Sequence, residues 1–219
     1  MPNAATADRR ARLRGIYALV ETPGEAEAAL AGGARVVQVR VKDRPAGEVL
    51  EVARRVVALA AGRGLVVVND RVDLALISGA DGVHVGDEDL PVEEARRLLG
   101  PDRLVGRTCR SLAEARAAIA AGADHVGFGP VFASRTKPLA LAPRGIPALA
   151  EVCGALGAPV VAISGIDRSN VAEVGRAGAA CAAVVEAIFG AGDPRENARR
   201  LAEAFEAARV SRIGPGAPP

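Results

Sequence analysis

The 219-residue sequence predicts an α/β fold, a (β/α)8 TIM barrel in a single domain. Short apolar runs alternate eight times with amphipathic or alanine-rich segments, and eight parallel strands are the number that closes such a barrel. The pairs Gly33-Ala34, Gly79-Ala80, Gly122-Ala123 and Gly178-Ala179 each fall between a helix and the next even-numbered strand, which is a weak internal repeat. Glycine there ends a helix in the left-handed conformation, and alanine lets helix and strand approach closely. A doubly wound open sheet would want a GxGxxG turn or a P-loop after its first strand, and the sequence has neither.

Residues 1–14 carry positive charge with no apolar stretch behind it, so they read as a flexible arm and not as a secretory signal. The barrel is expected over 15–209. Ile16 to Val20 is the first strand, and Gly24 to Ala31 the first helix. Strand two runs from Val36 to Val41 and helix two from Ala46 to Ala61. Strand three is Leu65 to Val68, followed by a short helix over Val72 to Ser78; strand four is Gly82 to Val85, with helix four after Pro91. Strand five is Leu104 to Thr108, helix five Ser111 to Ala121, and strand six His125 to Phe128. Ile146 to Leu156, Val160 to Ile163, Asn170 to Ala177, Cys181 to Val185 and Glu196 to Ala208 complete the alternation. The strands are unbroken apolar runs because parallel strands are covered on both faces. The Gly- and Pro-rich segment 210–219 reads as a disordered tail.

Half the residues are apolar and the net charge is +2, with basic residues spread along helices, which argues against a nucleic-acid footprint. No apolar stretch reaches transmembrane length. Cys109, Cys153 and Cys181 lack metal-ligand spacing and read as structural thiols of a reduced, cytoplasmic setting. A homo-oligomer is left open by the sequence.

In a closed parallel barrel the C-terminal strand ends share one mouth, where catalytic residues collect. Strand two brings Gln38, Arg40 and Lys42 there by alternation, and strand three brings Asn69 and Asp70. Asp89 follows strand four, Thr108 ends strand five, and Ser134, Arg135, Thr136 and Lys137 follow strand six. Strand seven ends in Ser164-Gly165 and strand eight in Val185-Glu186. Oxygen ligands beside several cations suit a magnesium-bound pyrophosphate. The alternatives are helix capping by Asp70 and Asp89, and a network of structural ion pairs. His84 and His125 read as packed core residues and not as acids or bases.

From Ile16 to Ala208 the chain resembles the thiamine phosphate synthase family. The matching motifs are VQVRVK at Val37 to Lys42, VVND at Val67 to Asp70 and GVHVGDEDLP at Gly82 to Pro91. GADHVGFGPVF at Gly122 to Phe132, SRTK at Ser134 to Lys137 and AISGI at Ala162 to Ile166 follow in order. The resemblance implies a transferase that joins a pyrimidine carrying a diphosphooxymethyl group to a thiazole carrying a phosphooxyethyl group, giving thiamine phosphate and pyrophosphate. It implies Mg2+ on Asp70 and Asp89, and the pyrimidine diphosphate on Gln38, Arg40, Lys42, Asn69, Thr108 and Lys137. The thiazole phosphate would meet Ser134, Arg135, Thr136, Gly165 and the Val185-Glu186 backbone. Arg40, Lys42 and Lys137 would be the catalytic cations.

Glu186 departs from the serine usual in the family, and a carboxylate beside a phosphate is repulsive unless it turns away toward its own short helix. A sister family of thiazole tautomerases shares the barrel, but Arg110 stands where its proton-shuttling histidine would be, and arginine stays protonated at neutral pH. A third reading is a phosphate-ligand-binding barrel without turnover. The segment Pro138 to Arg144 is long enough for a lid over the mouth.

Overall fold

The computed structural model describes residues 4–133 and 142–213. Eight parallel strands pair with their sequence neighbours, and the first pairs with the last, so the sheet is a closed barrel. The strands are β1 (Gly15–Val20), β2 (Val36–Val39), β3 (Leu65–Asn69), β4 (Gly82–Val85), β5 (Leu104–Cys109), β6 (His125–Phe128), β7 (Val160–Ala162) and β8 (Cys181–Val184). Around them lie α2 (Pro23–Ala31), α3 (Ala46–Ala60), α4 (Val72–Ser78), α5 (Val92–Leu99), α6 (Leu112–Ala120), α7 (Gly145–Ala155), α8 (Val171–Ala177) and α10 (Pro194–Ile213). One helix is an addition to the expected pattern, α1 (Ala4–Arg12), and the single-turn α9 (Glu186–Phe189) is the short helix expected at Glu186. Among the described residues no helix is long and apolar enough to cross a membrane.

The four Gly-Ala pairs are one device used four times. Gly33, Gly79, Gly122 and Gly178 all have positive φ. The following alanine N–H groups reach back to Ala29, Ala75, Ala118 and Val174 carbonyls at 3.0, 3.1, 3.0 and 3.4 Å. This bond closes the last helical turn over the left-handed residue. The next N–H in each case donates to the preceding strand: Arg35 to Ile16, Asp81 to Val66, Asp124 to Val105 and Ala180 to Val160. The repeat thereby fixes where each even-numbered strand begins, and with it which side chains reach the opposite end.

Asp81 and Asp124 extend the device with their carboxylates, which accept the N–H groups of Val66 and Val105 at 2.9 and 2.8 Å. Arg9 of α1 pairs with Asp81 at 2.9 Å, and Thr6 donates to the Pro101 carbonyl. Residues 4–12 of the segment expected as a flexible arm thus form a helix docked under the barrel, with Leu13 buried among Tyr17, Val36, Leu65 and Leu104. At the other terminus α10 continues to Ile213, into the segment expected as tail. Arg96 pairs with Asp124, whose side chain is only 6% exposed, and donates to Gly100 and Arg103 carbonyls at 2.9 and 2.6 Å. Arg96→Met would leave that carboxylate buried and uncompensated, so urea unfolding should show a loss of about 3 kcal/mol.

Strand two is shorter than expected. Its last partner across the β3 edge is Val68, paired with Val39, so Arg40 and Lys42 stand in the loop beyond the strand. The lower barrel is apolar, filled by Tyr17, Val36, Leu65, Val67, Leu104 and Val161. The register then places Gln38, Asn69, His84 and Thr108 above that plug.

Candidate active site

The floor of the mouth is a polar layer held from below. Gln38 is 4% exposed, and its Nε2 donates to the Tyr17 hydroxyl at 2.9 Å. Asn69 lies opposite His84 in the β3–β4 register. His84 Nε2 is 2.9 Å from Thr108 Oγ1. His125 is a core residue as expected, fully buried, whereas His84 is partly buried at the mouth. Its apolar neighbours Val83 and Val85 made it look like core; the register, which pairs it with Gly106 of β5, is what brings its ring to Thr108.

Asp70 and Asp89 converge although they leave different strands. The Asp70 backbone has φ of 62°, an uncommon conformation for a residue with a Cβ, and its N–H donates to the His84 carbonyl at 2.8 Å. That bond aims the side chain across the β4 end, where the Asp89 carboxyl lies near enough to raise its proton affinity. Lys42 Nζ is 3.8 Å from Asp70 Oδ2, and Arg40 acts on the same carboxyl through its charge. Burial, then the neighbouring Asp89, hold Asp70 above the usual carboxylate range; Lys42 and Arg40 oppose them. Asp89 Oδ2 accepts the Gly86 N–H at 2.6 Å. The residues capping α4 and α5 are Arg71 and Pro91, without side-chain cap bonds, so neither aspartate is a helix cap. Two partly buried carboxyls near each other beside two cations leave an excess of oxygen donors that suits a hard divalent cation, and Mg2+ commonly takes one or two carboxylates plus substrate phosphate oxygens.

The loop carrying Asp89 is pinned by a neighbour that sequence reading passed over. Asp87 pairs with Arg107 at 2.8 Å and also with Arg110. Arg110 in turn is set by α6, since its N–H donates to Glu114 at 2.7 Å while Ser111 caps the Glu114 N–H at 3.1 Å. Arg110 is therefore part of a structural clamp.

On the other side of the mouth, Gly165 has φ of 67°, and a Cβ there would lie 2.4 Å from the Ala133 carbonyl oxygen. Glycine is required because the segment after β6 packs directly on this turn. Ser164, at φ of 77°, donates its hydroxyl to the Phe132 carbonyl at 3.3 Å. Val185 is 43% exposed at the end of β8. Glu186 has turned along α9, where its Oε1 would be 2.2 Å from a Cβ on Gly190. The turning away expected for this carboxylate is thus present, made possible by a glycine one helical turn on. Ser134, Arg135, Thr136 and Lys137 lie outside the described residues, as does the segment 138–141 of the expected lid.

The imidazoles carry a pH signature. Burial foremost, then the Arg107 charge, pushes His84 down to about 4, against a smaller pull from Asp89. Burial, His84 and Arg10 push His125 down to about 3. In the unfolded chain each ring takes a proton near 6.5. Below that pH the unfolded chain binds more protons than the folded one, so stability is full above it and falls as pH drops toward the folded values. Urea unfolding should find the chain roughly 3 kcal/mol less stable at pH 5 than at pH 7. A flat profile would show that the rings are charged or exposed. Cys109 is also buried, its thiol pushed up to about 11, as fits a structural cysteine.

The family model described as thiamine monophosphate synthase matches residues 18–188. A thiamine-phosphate synthase of Anaeromyxobacter dehalogenans is 64% identical over 95% of this chain and 96% of its own. One from Myxococcus xanthus is 54% identical, covering 82% and 83% of the two chains. Among solved structures, a thiamine phosphate pyrophosphorylase from Pyrococcus furiosus superposes with a TM-score of 0.83 at 34% identity, over 91% of this chain and 98% of its own.

Proposed function

The chain belongs to the thiamine monophosphate synthase family, and from that premise we propose that it joins a pyrimidine diphosphate to a thiazole phosphate at the barrel mouth, with Mg2+ held by Asp70 and Asp89. The observation that carries this reading is the nearness of those two carboxyls, with Lys42 paired to Asp70 and the Arg40 charge acting on it. Magnesium bound there would supply positive charge to a diphosphate group as negative charge grows on it. Arg40 offers a planar fork for two phosphate oxygens, and Lys42 a movable point charge. Gln38, Asn69 and Thr108 orient the pyrimidine ring from the floor.

The bond from the pyrimidine methylene to diphosphate oxygen breaks first, and the electron pair leaves with pyrophosphate. The thiazole nitrogen then donates its lone pair to the resulting cation. That nitrogen has no proton to lose, so the site needs no general base and works by charge stabilisation and positioning. Lys137 is assigned by its motif to follow the departing pyrophosphate, with Ser134, Arg135, Thr136, Gly165 and the backbone at Val185 and Glu186 around the thiazole phosphate. Lys137→Ala should then lower kcat severely with the fold intact by circular dichroism; unchanged turnover removes that role. The buried thiols of Cys109 and Cys181 fit a reduced cytoplasmic setting.

Incubation of the purified chain with both substrates tests the reading. Thiamine phosphate should form with Mg2+ and not in EDTA, and Asp89→Ala should abolish it. Isomerisation of the thiazole alone, or binding without turnover, would identify one of the rival activities instead.

A further inference from the structure

Two glycines make room inside the barrel for a pair of imidazoles. A Cβ on Gly106 of β5 would fall 2.2 Å from His125 Nε2 and 2.6 Å from His84 Nδ1, and one on Gly127 of β6 would fall 2.9 Å from His84 Cε1. The rings lie with centroids 5.6 Å apart. His125 Nε2 faces His84 Nδ1 at 3.5 Å, the outer limit of a hydrogen bond, and His84 Nε2 faces Thr108 Oγ1 at 2.9 Å. His125 Nδ1 is buried, with no hydrogen-bond partner among the described residues.

The chain of contacts admits two proton arrangements. In one, His125 carries its proton on Nδ1; His84 then donates from Nδ1 to His125, and Thr108 must donate its hydroxyl hydrogen back to His84. In the other, His125 Nε2–H donates to His84 Nδ1, and His84 Nε2–H donates to Thr108, whose own hydrogen is free. The first leaves a buried N–H without an acceptor, and the second leaves only a buried lone pair without a donor. Folded proteins tolerate the second defect more often than the first. At pH 7.5, above the ordinary imidazole value, each ring has one proton to place.

We infer that His125 is a positioning residue which, through His84, leaves the Thr108 hydroxyl hydrogen free to donate to an acceptor atom of the substrate. The inference rests on the reading that the pyrimidine diphosphate binds beside Thr108. The acceptor is then a ring nitrogen or a phosphate oxygen.

Long-range 1H–15N NMR of histidine-labelled protein at pH 7.5 reads the arrangement without any substitution. Both His84 and His125 should be Nε2–H tautomers; an Nδ1–H tautomer at His84 overturns the inference. Kinetics give the second arm. His125→Leu removes the donor and should raise KM for the pyrimidine diphosphate roughly tenfold, with KM for the thiazole phosphate unchanged. His125→Asn, which keeps an N–H, should recover part of that loss. Adding Thr108→Val to His125→Leu should cost less than Thr108→Val alone, because the two act through one contact. Strict additivity contradicts the inference. Absence of thiamine phosphate from the unmodified chain would instead refute the assigned reaction, while leaving the tautomers readable.

Discussion

Asp70→Asn is expected to cut kcat by about 100- to 1000-fold, a range typical of losing one preorganised electrostatic group, while the metal-free protein melts at an equal or higher temperature. Burial and the neighbouring Asp89 both work against charge on Asp70. The folded chain therefore carries a destabilising carboxylate at neutral pH, and Asn removes the charge without removing the shape. Asn also tolerates the positive φ of 62° at this position, so the backbone bond to the His84 carbonyl should survive. At 33% side-chain exposure solvent screens the repulsion, and the gain should be no more than about 1 kcal/mol. Thermal melts in EDTA and in Mg2+ should show a metal-dependent rise for the unmodified chain and none for the variant. A variant less stable in EDTA, or one that keeps its Mg2+ response, contradicts the role.

Arg40→Ala should lower kcat/KM for the pyrimidine diphosphate by about 100-fold, the scale of losing one or two charge-assisted hydrogen bonds. Its backbone is anchored, the N–H donating to the Val20 carbonyl at 2.8 Å, so the side chain starts from a fixed point just past β2. Arg40→Lys should restore only part of the loss, because the charge returns without the fork. The two roles of this residue also separate in the metal response. Arg40 opposes the raised proton affinity of Asp70 and would equally repel a cation there. Removing it should leave the Mg2+ concentration for half activity unchanged or lower while turnover collapses. A raised Mg2+ requirement would mean that Arg40 supports the metal site and not the diphosphate.

The barrel was legible because its strands are unbroken apolar runs and because the four Gly-Ala pairs encode a local bond pattern that needs no tertiary information. Convergence of Asp70 and Asp89 followed from the same logic, since neighbouring strand ends in a closed barrel must be close. Long-range partners were not legible. The docking of α1 depends on Arg9 meeting Asp81, and nothing within AATADRRAR announces it. Asp87 sits in an acidic run, and its partners are Arg107 of β5 and Arg110 just past that strand. The direction of Glu186 was settled by Gly190, and the place of His84 by its register with β5. In each case the deciding atom lies on an element that local periodicity cannot position.

The most direct test is calorimetric titration of Mg2+ into the chain in the presence of pyrophosphate, for the unmodified protein and for Asp70→Asn and Asp89→Asn. One ion per chain should bind, and either substitution should weaken it by at least about tenfold, since even outer-shell partners of a metal are worth that much. Equal affinity in all three proteins would mean that the paired carboxyls hold no metal.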